Sequence, residues 1–68
     1  MTDKAKELLQ KMAYEYDKSG RSLFDSMFYL GFSDEVINEL ESLGYIICKN
    51  DVIASIALTK AGYEEANK

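Results

Sequence analysis

A chain of 68 residues, 47% of them apolar and 29% charged, reads as a single globular domain spanning 1–68, which excludes a disordered or collagen-like chain. No apolar run approaches the roughly 20 residues of a membrane helix, and Met1-Thr2-Asp3-Lys4 leads into an amphipathic segment, so neither a secretory signal nor a membrane span is expected. The formal net charge of −4 resides on Asp34, Glu35, Glu39 and Glu41, because acids and bases balance elsewhere in the chain.

Thr2 is the expected N-cap of a first helix in which Ala5, Leu8, Leu9, Met12, Ala13 and Tyr16 recur on one face. Lys4, Glu7, Lys11, Glu15 and Lys18 form its solvated side, and Lys18-Ser19-Gly20 ends it, with Gly20 free to take a positive φ. Ser22-Leu-Phe-Asp25 has the form of a capping signal and predicts a second, short helix from Leu23 to Leu30. That helix would carry Leu23, Phe24, Met27, Phe28, Tyr29 and Leu30, so it is expected to be buried on more than one side and to stop at Gly31.

Phe32 precedes a further cap at Ser33. The third helix places Asp34 and Glu35 in its first turn, where the helix dipole favours acids, and directs Val36, Ile37, Leu40 and Leu43 inward. Gly44 closes it in the left-handed region, and Tyr45 to Cys48 follows as a strand. A turn at Lys49-Asn50-Asp51 leads into a second strand, Val52 to Leu58, after which Thr59 caps a last short helix. Gly62 is the weak point of that helix, costing roughly 1 kcal/mol relative to Ala in a helix interior.

With a two-residue loop at Asn50-Asp51, the hairpin would group Tyr45, Ile47, Val52, Ala54 and Ile56 on one face. Ile46, Cys48, Ile53, Ser55 and Ala57 would share the other. Neither face is polar, so the second face is expected to be covered, and Ile46, Cys48, Ile53 and Ser55 are the candidate homodimer face.

The phrases Glu39-Leu-Glu-Ser-Leu-Gly-Tyr-Ile46 and Ala57-Leu-Thr-Lys-Ala-Gly-Tyr63 resemble the helix end, strand entry and wing exit of small bacterial and phage winged helix-turn-helix proteins. The resemblance covers nearly the whole chain and implies an α+β, winged-helix-like fold. Its parts would be three helices, a two- to three-stranded antiparallel hairpin wing and a short C-terminal helix. It also implies a short first strand near Ser19 to Ser22, paired with the hairpin.

In DNA-binding members of that family, the helix matching Ser33 to Leu43 enters the major groove while the wing at Lys49 to Asp51 reaches the backbone. Here that helix offers Asp34, Glu35, Asn38, Glu39, Glu41 and Ser42, of which only Asn38 suits base reading. Those six residues are therefore the candidate protein-binding face. Lys4, Lys11, Lys18 and Arg21 are the alternative phosphate contacts for a DNA-binding transcriptional regulator.

The chain lacks histidine, a Gly-rich phosphate loop and any paired cysteine ligands, so no enzyme, cofactor or metal site is expected. Cys48, the single cysteine, cannot form an internal disulfide, which suits a reducing cytoplasm, and its apolar neighbours make it a packing residue. The expected function is a non-enzymatic interaction module, acting as a homodimer or as an acidic-helix adaptor or inhibitor of a nucleic-acid-related protein.

Overall fold

The computed structural model describes residues 1–50 and 54–68. Amphipathic spacing produces the first helix, α1 (Asp3–Ser19), which buries Ala5, Leu8, Leu9, Met12 and Ala13. The Thr2 hydroxyl accepts from the Ala5 N–H at 3.3 Å to start it, and Gly20, at φ 75°, donates its N–H to the Tyr16 carbonyl to end it. Tyr16, placed on the apolar face by periodicity, is exposed and meets Tyr63 edge-on with ring centroids 5.1 Å apart.

The segment after Gly20 is not helical. Leu23–Asp25 forms a strand, β1, which pairs antiparallel with β3 (Ala54–Leu58), and residues 26–31 form turns. The chain therefore has three helices among the described residues, where the sequence leads one to expect four. Local signals lose here to strand pairing, because the Leu58 N–H donates to the Ser22 carbonyl at 2.8 Å and carries the pairing through Leu23, Phe24 and Asp25.

Asp25 caps a turn instead of a helix, accepting the Phe28 N–H on its carboxylate at 3.3 Å. Phe24 is fully buried, with its ring 4.3 Å from that of Phe28. Met27 and Leu30, assigned by sequence to a buried helix, are 74% and 73% exposed on the turns. The strand expected near Ser19 to Ser22 is thus displaced to Leu23–Asp25.

The second helix, α2 (Asp34–Ser42), begins where Ser33 accepts from the Val36 N–H at 3.4 Å and buries Val36, Ile37 and Leu40. Leu43 lies outside its buried stripe and is exposed. A paired termination links α2 to the sheet: the Gly44 N–H donates to the Glu41 carbonyl and the Tyr45 N–H to the Leu40 carbonyl, both at 3.0 Å. Gly44 takes φ 79°, a conformation that would strain a side-chain-bearing residue.

The next strand, β2 (Ile46–Asn50), follows at once and pairs antiparallel with β3, giving a three-stranded sheet of order β1-β3-β2. This α+β arrangement is compatible with a winged-helix-like layout. The last helix, α3 (Lys60–Ala66), starts at Thr59, whose hydroxyl accepts the Gly62 N–H at 3.0 Å and donates to the Gly44 carbonyl at 2.8 Å.

The hairpin register differs from the sequence expectation. Lys49 pairs with Ser55 rather than Val52, Cys48 with Ile56 and Ile47 with Ala57. This shift reverses the faces, since side chains alternate along a strand and cross-strand partners share a side. Ile46 and Cys48 therefore point with Ile56 and Leu58 toward the helices, where Ile46 and Ile56 are each only 1% exposed.

Ser55 lies on the opposite face, and Ile53, with Asp51 and Val52 of the expected turn and strand start, lies outside the described residues. The candidate dimer face Ile46, Cys48, Ile53 and Ser55 is thus not one surface: Ile46 belongs to the chain's own core. One hydrophobic cluster joins Leu8, Leu9 and Met12 of α1 to Leu40 of α2 and to Phe24, Ile46 and Ile56 of the sheet.

Candidate protein-interaction cleft

The acidic helix has more than one job, and its hydrogen bonds separate the residues that do structural work from those that face solvent. Glu39 is bonded to the chain's own N-terminus. Its Oε2 accepts the Thr2 backbone N–H at 2.7 Å, its Oε1 accepts the Thr2 hydroxyl at 2.9 Å, and the N-terminal amine stands 4.0 Å away. These contacts, led by the backbone hydrogen bond, hold the Glu39 carboxyl below its ordinary range. The Thr2 hydroxyl thereby caps α1 and ties it to α2 at the same time. Ser42 turns back on its own helix, donating to the Asn38 carbonyl at 2.8 Å.

Asp34, Asn38 and Glu41 remain, spaced by four and three residues so that they follow one row along α2. They line an open cleft of about 370 Å³ between α2 and the sheet, with Tyr29 from the turns and Cys48 and Ile56 also in its walls. Glu35 is exposed in the first turn and is not part of that lining. No basic side chain contributes to the cleft among the described residues. Of the six candidates, the structure thus brings together three, sets Glu35 apart and commits Glu39 and Ser42 to internal bonds.

Tyr29, Cys48 and Ile56 escape a sequence reading of the site. The sequence places Tyr29 on a helix that does not form, and the other two depend on the hairpin register. Cys48 is half-buried, and burial foremost, then the neighbouring Glu41 carboxylate, pushes its thiol above the ordinary cysteine range. A thiol so placed is a poor nucleophile at neutral pH. The cleft presents hydrogen-bonding groups and negative charge.

The cations of the alternative surface are largely engaged. Lys4 lies 3.8 Å from Glu7, Lys11 donates to the Phe28 carbonyl at 3.4 Å and covers the Phe28 ring, and Arg21 donates to the Leu23 carbonyl at 3.1 Å and covers Phe24. A second depression, of about 480 Å³, lies between α1 and α3 and is lined by Tyr16, Leu58, Lys60 and Tyr63. Tyr63 donates its hydroxyl to Asp17 beside it, joining the two helices.

Among the described residues no group of three or more cysteine or carboxylate side chains is placed to hold a metal ion, and no helix is long and apolar enough to cross a membrane. No protein-family model, curated protein or solved structure matches the chain.

Proposed function

We propose that this chain is a small, non-enzymatic binding module of winged-helix type that engages a basic segment of a protein partner in the cleft beside α2. The alignment of Asp34, Asn38 and Glu41 along one exposed row, with no cation in the lining among the described residues, carries the reading. Two carboxylates flanking an amide offer acceptors to arginine or lysine donors, while the half-buried Tyr29 supplies apolar surface for their stems.

Such a cleft would repel nucleic-acid phosphates and attract the surfaces that bind them. The corresponding role is an adaptor, or an inhibitor that offers acidic charge where a nucleic-acid-related protein expects phosphate. A cytoplasmic setting suits the lone Cys48, which would remain reduced there.

The test is an amide-resolved NMR titration with an arginine-rich peptide. Shifts gathered on residues 34–42, Tyr29 and Cys48, and lost in an Asp34→Asn/Glu41→Gln variant, support the cleft. Shifts spread over Glu7, Glu15 and the other surface acids, unchanged in that variant, would refute it.

The second reading, a DNA-binding transcriptional regulator, draws on the compatible layout of helices and sheet. A mixed-sequence DNA duplex at low salt distinguishes it: shifts confined to residues 33–43 and to Lys49 would favour the regulator. Phosphate contacts would also make that binding fall steeply with salt.

A further inference from the structure

The register that turns Ile46 and Cys48 toward the helices creates another surface on the outside of the sheet. Leu23, Ala57 and Ile47 form one row across β1, β3 and β2, and Asp25, Ser55 and Lys49 form the next. Leu23 is 50% and Ile47 53% exposed, while Phe24 and Ile56 in the intervening inward row are buried. The outer face thus has an apolar row beside a polar one, with an acid at its β1 end and a base at its β2 end.

We infer that this face binds a second copy of the same chain, with two sheets stacked about a two-fold axis parallel to the strands and running along β3. That operation lays β1 of each copy over β2 of the other without exchanging the rows. Asp25 then faces Lys49 of the partner subunit, twice, and Leu23 meets Ile47 of the partner subunit, twice. The central Ala57 and Ser55 meet their own equivalents, and their small side chains leave room for Leu23 and Ile47 to interdigitate.

Both charge pairs match under this one operation, which makes the face self-complementary, as an isologous interface requires. Sheets stacked face to face lie about 10 Å apart, a gap that the Lys49 stem can bridge. Six residues make up the face, against the roughly 20–30 a side of a standard interface. The dimer is accordingly weak and concentration-dependent, in the micromolar-to-millimolar range. Ser55 borders both surfaces, but Asp25 and Lys49, whose charges carry the test, lie outside the lining of the α2 cleft, so failure of the dimer and failure of the cleft are read separately.

Sedimentation equilibrium of the wild-type chain across that concentration range should show a monomer–dimer equilibrium. Lys49→Asp sets like charges opposite Asp25 twice and should weaken it by roughly tenfold or more, as should Asp25→Lys. An equimolar mixture of the two variants should recover association, because the heterodimer again pairs opposite charges at both positions.

Asp25 also caps the turn before Phe28, so Asp25→Asn, which keeps the acceptor oxygen, provides a milder form of the same test. Circular dichroism establishes that each variant is folded. A wild-type chain that stays monomeric at millimolar concentration would overturn the inference. So would a dimer indifferent to Lys49→Asp and Asp25→Asn, or variants whose mixture associates no better than either alone.

Discussion

Gly62→Ala separates local propensity from tertiary packing, because the two predict opposite signs. By propensity, alanine should stabilise α3 by about 1 kcal/mol. Gly62 is buried, however, and an added Cβ would overlap the Tyr45 carbonyl oxygen, approach its carbonyl carbon to 3.0 Å and meet Leu58 Cδ1 at 3.1 Å. The obstacle is backbone at the entry to β2, so a side-chain rotation cannot relieve it.

Moving α3 away would stretch the bonds from the Thr59 N–H to the Tyr45 carbonyl, 3.1 Å, and from the Thr59 hydroxyl to the Gly44 carbonyl, 2.8 Å. Overpacking of this kind costs about 1–3 kcal/mol and each weakened hydrogen bond up to about 1 kcal/mol. Set against the propensity gain, the net loss is about 2 kcal/mol. In a domain this small, that lowers the thermal midpoint by roughly 8–16 °C. Urea denaturation measures the free energy directly, with exposed Ala61→Gly as the propensity control, expected to lose about 1 kcal/mol. A Gly62→Ala chain as stable as wild type, or more so, would refute the close approach of α3 to Tyr45.

Phe24→Ala, on the inner face of the edge strand β1, should cost about 3–5 kcal/mol and leave so small a domain largely unfolded, seen as collapsed amide dispersion in the NMR spectrum. The depressed Glu39 carboxyl contributes stability that is present above its unfolded value of about 4.3 and lost as pH falls through the lower folded value. The stability gap between wild type and Glu39→Gln should therefore narrow on acidification below that point, measured by urea midpoints across a pH series. Asp17 foremost, by accepting its hydrogen bond, raises the Tyr63 phenol, whose stabilisation is present below the unfolded value of about 10 and lost as pH rises through the folded one; Tyr63→Phe should lose that alkaline dependence. Glu41→Gln should speed alkylation of Cys48 by iodoacetamide at neutral pH, because it removes one of the causes that raise the thiol; an unchanged rate would separate Glu41 from Cys48.

Much of the scaffold was legible because its signals are local. Thr2, Ser33 and Thr59 announce N-caps by residue type, and the positive φ values of Gly20 and Gly44 follow from the need to end a helix. The inward stripe of α1 was readable because five of its members recur over more than two turns. The segment from Leu23 onward was not: three residues give too short an alternation to tell strand from helix, and the deciding bonds come from β3, thirty or more positions later. Composition made that error persuasive, since Met27 and Leu30 are apolar yet exposed.

The candidate site was legible as a charge pattern and illegible as a geometry. The sequence could identify the acids of α2, but not that Glu39 would turn toward Thr2, 37 positions away, while Asp34 and Glu41 faced the cleft. The division has a consequence for recognition. Because Glu39 clamps α1 to α2, it helps fix the helix that carries the three cleft residues, and a preorganised row loses less conformational entropy when a partner binds. Glu39→Gln should accordingly weaken binding of the arginine-rich peptide in proportion to the loosened clamp, whereas Glu41→Gln should weaken it by removing a contact. Hydrogen exchange distinguishes the two: faster exchange through α2 in the free Glu39→Gln chain, absent from Glu41→Gln, is expected if the clamp orders the site. Equal protection of α2 in both would reduce Glu39 to a tether of the N-terminus alone.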